Sequence, residues 1–164
     1  MAVFYSPVEV VGAAIETERS GRQYYEAASV AAQQPKIKGL FEYLAGEEAK
    51  HERTFQGLFN RIKEGPAALP NDWSEVAEYL KVITDSRFFL TPDKALALAD
   101  SARNERDALE FALQFEKETL LFYLELDRLI AAEHRAVVEE LAAQERIHIR
   151  RLSEMRMTLT EAVR

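Results

Sequence analysis

The chain contains no cysteine. That excludes a disulfide framework, Cys-ligated zinc, an iron–sulfur centre and a thiolate nucleophile. Glycine and proline are scarce, at 6 and 5 of 164 residues, and they cluster, which leaves long stretches free to be helical. No run approaches the roughly 18 uninterrupted apolar residues of a membrane span. Positive charge is in deficit: 21 Lys and Arg against 28 Asp and Glu give a net charge of −7. This balance argues against a general binder of nucleic-acid phosphates. The apolar N-terminal stretch has no basic leader and is interrupted by Glu9, so no secretory signal is expected and a cytoplasmic location is. What is present, 48% hydrophobic and 30% charged residues, is the composition of one globular domain over residues 1–164, large enough to bury a core.

Helix punctuation divides the chain. Ser6-Pro7-Val8-Glu9 combines an N-cap, a proline at the first helical position and a capping-box glutamate. The helix it opens, helix 1, covers about residues 7–32. Gln33-Gln34-Pro35 breaks it, and helix 2 covers about 35–64, where Gly65-Pro66 stops it. Residues 65–106 read as a long crossover. Pro66, Pro70 and Asn71 make it irregular, Asp72-Trp73-Ser74-Glu75 opens a short helix with a capping pair, and Thr91-Pro92-Asp93 starts a further helical region. Beyond residue 93 there is no Gly or Pro, but weak breaks near Ser101–Asn104 and Ala131–Glu133 set off helix 3 at about 107–130 and helix 4 at about 133–160. No alternating strand pattern competes. The expectation is all-α: an antiparallel four-helix bundle with a long helix 2–3 crossover containing a short helix.

Apolar residues recur at steps of three and four along each long helix, the mark of a core-facing stripe. The informative residues are polar ones in phase with it. Helix 2 reads Leu44, Glu48, His51, Phe55, and helix 4 reads Leu141, Glu145, His148, Leu152. Each therefore turns a Glu-x-x-His pair inward. Helix 1 reads Val11, Ile15, Glu18, Tyr25, and helix 3 reads Leu109, Leu113, Glu116, Leu120, Tyr123. The halves repeat: Glu18 to Glu116 is 98 residues, while Glu48 to Glu145 and His51 to His148 are each 97. In an antiparallel hairpin, residues at one depth are equidistant from the turn. The midpoint for the first set falls at Gln33–Gln34 and for the second near Ala131, where the breaks already lie. All six side chains are thus expected at one level of the bundle.

Four carboxylates and two imidazoles in a core are costly without partners. The inward stripes offer almost no cation to neutralise them; Arg22 is the nearest candidate. Two divalent metal ions balance four carboxylates, and glutamate oxygens with neutral imidazoles suit iron or manganese.

These motifs, Glu18-x6-Tyr25, Glu47-Glu48-x-x-His51, Glu116-x6-Tyr123 and Glu145-x-x-His148, resemble the rubrerythrin branch of the ferritin-like superfamily. The resemblance implies two iron ions, with manganese or zinc as substitutes. Glu18, Glu48 and His51 would lie on one side, Glu116, Glu145 and His148 on the other, and Glu48 and Glu145 would bridge. It implies that Tyr25 and Tyr123 hydrogen-bond ligating carboxylates. It also implies reaction of Fe(II) with hydrogen peroxide or dioxygen, in an oxidative-stress or iron-handling role, and a homodimer. Rubrerythrins that reduce peroxide carry a cysteine-ligated rubredoxin domain; with no cysteine here, a separate electron-donor protein is expected. Thr119 stands where they carry an extra glutamate, and Glu118 points roughly 100° away on a helix. The haem-binding methionine of the similar bacterioferritins is replaced by Ala49, so no haem is expected. Two other functions are compatible with the same residues: a ferroxidase or iron-storage protein, and a non-catalytic bundle with a buried polar network.

Glu47 and Glu16 fall off the inward lines and read as solvated. His134, near a turn, reads as a surface histidine, and Arg146, Arg150, Arg151 and Arg156 as solvated helix surface. Trp73 is expected to anchor the crossover helix. Phe88, Phe89 and Leu90 are expected to pack on the bundle or to form a dimer contact.

Overall fold

A computed structural model describes residues 6–65, 69 and 71–161. Pro66 and Pro70 lie outside the described residues. Six helices follow one another: α1 (Pro7–Ala31), α2 (Pro35–Ile62), α3 (Trp73–Asp85), α4 (Pro92–Ser101), α5 (Glu105–Leu129) and α6 (Ala132–Glu161). Among the described residues there is no strand, and no helix is long and apolar enough to cross a membrane. The protein is an all-α helical bundle, in which α1, α2, α5 and α6 are the four long helices and α3 and α4 form the crossover. The crossover carries two short helices, the one opened after Asp72 and a second that Pro92 and the Ala102–Asn104 break delimit.

Local chemistry explains the ends. The Ser6 hydroxyl accepts from Glu9 N, and the Glu9 carboxylate accepts from Ser6 N, closing the capping box. The Asn104 side chain caps α5 by accepting from Asp107 N at 2.9 Å. Helix α2 has no side-chain cap of its own. Instead Glu105, at the start of α5, accepts from the backbone N–H groups of Gln33 and Gln34 at 2.7 Å each. An acidic side chain is thereby brought to the positive end of α2, and the first turn is tied to the third long helix. The expected capping pair at Asp72 and Glu75 does not form. Asp72 is at φ −96°, ψ 20°, outside the extended geometry of a cap, and its carboxylate faces Arg128 at 3.4 Å.

The core is divided into two apolar clusters. One gathers Val10, Val11 and Ile15 of α1, Phe55 and Leu58 of α2, Phe122 and Leu126 of α5, and Val138 and Leu141 of α6. The other gathers Tyr24 and Tyr25, Phe41 and Leu44, Leu109 and Leu113, and Leu152 of the same helices. The start of α1 therefore lies beside the end of α2 and the end of α5, so α1 runs antiparallel to both. Since α2 ends at one end of the bundle and α5 begins at the other, the connection must travel its whole length. Val76, Leu80 and Ile83 of α3 pack into the first cluster, and Ala95 and Leu98 of α4 into the second. Phe89 and Leu90 are buried between them, while Phe88 is half-buried beneath Arg87, whose guanidinium lies 4.7 Å from its ring centre. Trp73 packs on the first cluster, anchoring α3.

The interval between the clusters is tight at one backbone position. A Cβ on Gly21 of α1 would come within 2.6 Å of Phe115 Cζ and 2.7 Å of Glu48 Oε2. Gly46 of α2, by contrast, would place a Cβ in open space. Gly21→Ala is therefore expected to lower the melting temperature by at least about 2 °C, because overpacking costs about 1–3 kcal/mol against a propensity gain of about 1 kcal/mol. Gly46→Ala is expected to raise it, by about 0.5–1 kcal/mol of stability. Thermal denaturation of the two variants decides; equal stabilisation by both would contradict the close approach at Gly21.

Candidate metal centre

Six side chains fill the interval between the apolar clusters. Glu18 comes from α1, Glu48 and His51 from α2, Glu116 from α5, and Glu145 and His148 from α6; the four carboxylates are completely buried and the two imidazoles 1% exposed. His51 Nδ1 lies 2.9 Å from Glu145 Oε1 and 3.3 Å from Glu18 Oε2. His148 Nδ1 lies 3.1 Å from Glu145 Oε2, 3.5 Å from Glu116 Oε2 and 3.8 Å from Glu48 Oε1. The two rings are nearly parallel, at 15°, with centres 5.3 Å apart. Donor atoms of Glu18, Glu48, His51 and Glu145 all lie within 4.8 Å of one another, and so do those of Glu48, Glu116, Glu145 and His148. The two groups overlap in Glu48 and Glu145. Each thus holds one imidazole, one carboxylate of its own and the two shared ones.

The protein leaves these atoms unsatisfied. Both oxygens of Glu18 and of Glu48, and Glu116 Oε2, are buried without a hydrogen-bond partner among the described residues. Orphaned carboxylate oxygens facing one another are costly, and an oxygen and imidazole donor set of this kind fits divalent iron, manganese or zinc. Arg22 does not enter the layer: it pairs with Glu52 at 3.2 Å and with Glu26 at 3.8 Å on the outside.

Mutual burial raises the proton affinity of most of these groups. Burial, then the charges of neighbouring carboxylates, push Glu18 and Glu48 well above the ordinary carboxylate range. Burial and the Glu145 charge push Glu116 up to about 8. Burial alone would also raise Glu145, but its interactions with Glu116, His148 and His51 hold it well below that range. For the histidines burial favours the neutral ring; the carboxylates outweigh it and raise His51 to about 10 and His148 to about 11. The layer is thus a set of acids that retain protons around one ionised carboxylate, and metal ions would have to displace those protons.

The surrounding groups are less symmetrical than the six. The Tyr25 hydroxyl donates to Glu116 Oε1, across the bundle. Tyr123 is equally buried, and its hydroxyl has no partner among the described residues. Thr119, one turn beyond Glu116, is fully buried, while Glu118 lies off that line and accepts from Ser86 at 3.3 Å. Glu16 pairs with Arg19 at the surface, and His134 lies 3.6 Å from Glu133, far from the layer in sequence and at the start of α6. Glu47 is half-buried, hydrogen-bonded to Lys50, and within 4.8 Å of both histidines. One residue was not anticipated. Gln144 Oε1 lies 2.8 Å from His51 Nε2, directly behind the ring. A signal for it was available, since Gln144 follows Glu47 by the same 97 residues that separate the two Glu-x-x-His pairs.

The proton count has a sign that solution measurements read. Glu18, Glu48, Glu116, His51 and His148 all have native values above their ordinary ones, so the metal-free protein binds more protons folded than unfolded. The stability they contribute is full at low pH and is lost as pH rises through the native values; the Glu145 contribution runs the other way but is lost only in acid. Between pH 6 and 9, spanning the rise of Glu116 to about 8 and the approach to about 10 for His51, the metal-free melting temperature is expected to fall by at least about 4 °C. Saturating Mn(II) should remove that fall. A flat metal-free profile would contradict the proton-holding layer.

Comparison with known proteins bears on the fold and the family. No curated protein matches the sequence. A hypothetical protein from Pyrococcus furiosus superposes with a TM-score of 0.70 at 22% identity, over 96% of this chain and 92% of its own. A putative ferritin-like diiron-carboxylate protein from Thermotoga maritima superposes with a TM-score of 0.66, also at 22% identity, over 96% and 98% of the two chains. Likeness at this identity concerns the fold. The sequence itself matches the model of the Rubrerythrin family over residues 9–106, a span that includes Glu18, Glu48 and His51. With more than half of the chain matched, the protein belongs to the rubrerythrin family.

Proposed function

We propose that the protein is a dinuclear iron redox protein that reacts Fe(II) with hydrogen peroxide or dioxygen. The observation that carries this reading is the pair of overlapping donor groups sharing Glu48 and Glu145. Glu18 and His51 would hold one iron, Glu116 and His148 the other, and Glu48 and Glu145 both. The four carboxylates match the charge of two divalent ions, which makes a neutral layer out of one that otherwise retains protons. When bound, a ferrous pair supplies the two electrons that, with two protons, reduce a peroxide O–O bond to water.

The chain's own residues prepare the place for that chemistry. The clusters around Phe55 and Phe122 on one side and Tyr25 and Phe41 on the other exclude bulk water from the layer. Tyr25 holds Glu116 by its hydroxyl. A separate protein as electron donor, a homodimeric state and a cytoplasmic location belong to the same proposal.

Three measurements test it. The protein purified without added metal should contain close to two metal ions per chain, and Glu48→Ala combined with His148→Ala should reduce this below about one. Stopped-flow oxidation of the Fe(II)-loaded protein should be at least about tenfold faster with peroxide than with dioxygen, a barrier difference of about 1.4 kcal/mol; a smaller ratio would remove the peroxidase reading. Gel filtration should give a dimer. An assembly the size of a hollow multi-subunit shell would move the reading to iron storage.

A further inference from the structure

We infer that Gln144 is a positioning residue for His51, and that it makes the two halves of the centre unequal, the Glu18–His51 half holding its metal ion more tightly. The inference rests on the dinuclear reading above and concerns the order in which the halves fill.

The hydrogen-bond chain behind His51 has one consistent direction. Gln144 Oε1 is 2.8 Å from His51 Nε2, and Gln144 Nε2 is 3.0 Å from Glu140 Oε1. The Glu140 carboxylate accepts, so the amide nitrogen of Gln144 must face it. The amide oxygen then faces the imidazole, and since that oxygen also only accepts, His51 Nε2 must carry a hydrogen. The lone pair available to a metal is left on Nδ1, which is the nitrogen that faces Glu18 and Glu145. Ring orientation and the hydrogen on Nε2 are set from outside the layer, so an ion has only the Nδ1 proton to displace.

His148 has no such support. Its Nε2 makes no hydrogen bond among the described residues. Behind it stands the Tyr43 ring, edge-on at 88° and 6.3 Å between centres, which restricts the ring by packing but does not choose a tautomer. Glu47, the residue at the repeat position of Gln144, sends its carboxylate to Lys50. Each half has the same kinds of donor, one imidazole and one carboxylate of its own beside the shared Glu48 and Glu145, but the support behind the two imidazoles differs. A ligand already held in its binding geometry loses less freedom when the ion binds.

Titration with Co(II), followed by calorimetry and visible absorption, tests this. The wild-type protein should bind two ions with affinities at least about tenfold apart, and His51→Ala should remove the tighter step. Gln144→Leu should weaken the tighter step by about 10–100-fold and leave the weaker one in place. Gln144→Glu, which restores an acceptor behind His51, should return the tighter step to within about threefold of wild type. In the Zn(II)-loaded wild type, nitrogen-15 NMR should place the His51 proton on Nε2, and the rescue by Gln144→Glu together with an unchanged weaker step in Gln144→Leu separates positioning from a general structural effect. Equal affinities in the wild type, or a tighter step unchanged in Gln144→Leu, would overturn the inference while leaving two bound ions intact. Fewer than one Co(II) per chain would overturn the dinuclear reading, and the inference with it.

Discussion

Everything in this molecule is arranged around the burial of four carboxylates at one depth of a helical bundle. Burying even one without compensation is costly, and here they face one another with two imidazoles between them. Neutralisation must come from within the layer, because Arg22, the cation in phase with the inward stripe of α1, is turned outward to Glu52. Protons or cations are the two ways to achieve it, and the same side chains serve either. This is why the atoms that look like defects in the packing, the orphaned oxygens of Glu18 and Glu48, are the ones placed to hold a proton or meet a cation.

The polar layer also governs the packing. It splits the core in two, so each apolar cluster must hold its end of the bundle separately. Large aromatic side chains do much of this, with Phe55, Phe122 and Tyr123 on one side and Tyr24, Tyr25, Phe41 and Phe115 on the other. The close approach at Gly21 lets Phe115 and Glu48 come up against the α1 backbone. Glu105 joins the start of α5 to the α1–α2 turn, so the two hairpins are clasped at one end as well as packed along their length.

Most of this was legible in the sequence because it depends on periodicity. The helix breaks at Gln33–Gln34 and Ala131 and the inward phase of the six polar residues are consequences of a 3.6-residue repeat, and the six converge as the spacing required. What was not legible depends on contacts between distant elements. The Asp72 carboxylate turns to Arg128, 56 residues away, and a local capping rule has no knowledge of that partner. Gln144 lies one residue outside the inward line and acquires its role only because His51 of another helix stands in front of it. Tyr25 and Tyr123 look equivalent in spacing, yet only the first meets a carboxylate in the structure. Hydrogen-bond partners across a bundle are set by rotamers and helix rotation, which a one-dimensional pattern does not encode.

The crossover has a consequence for the bundle as an object with sides. In running from one end to the other, its α4 lies along α1 and its α3 along α5. The helices that contribute a single glutamate each, α1 with Glu18 and α5 with Glu116, are therefore the ones the crossover packs against. The two histidines belong to α2 and α6, against which the described residues of the crossover pack far less, and beside them stand side chains such as Tyr43, Glu47 and Gln144. The crossover thereby covers the α1 and α5 side of the bundle and leaves the α2 and α6 side the more open one.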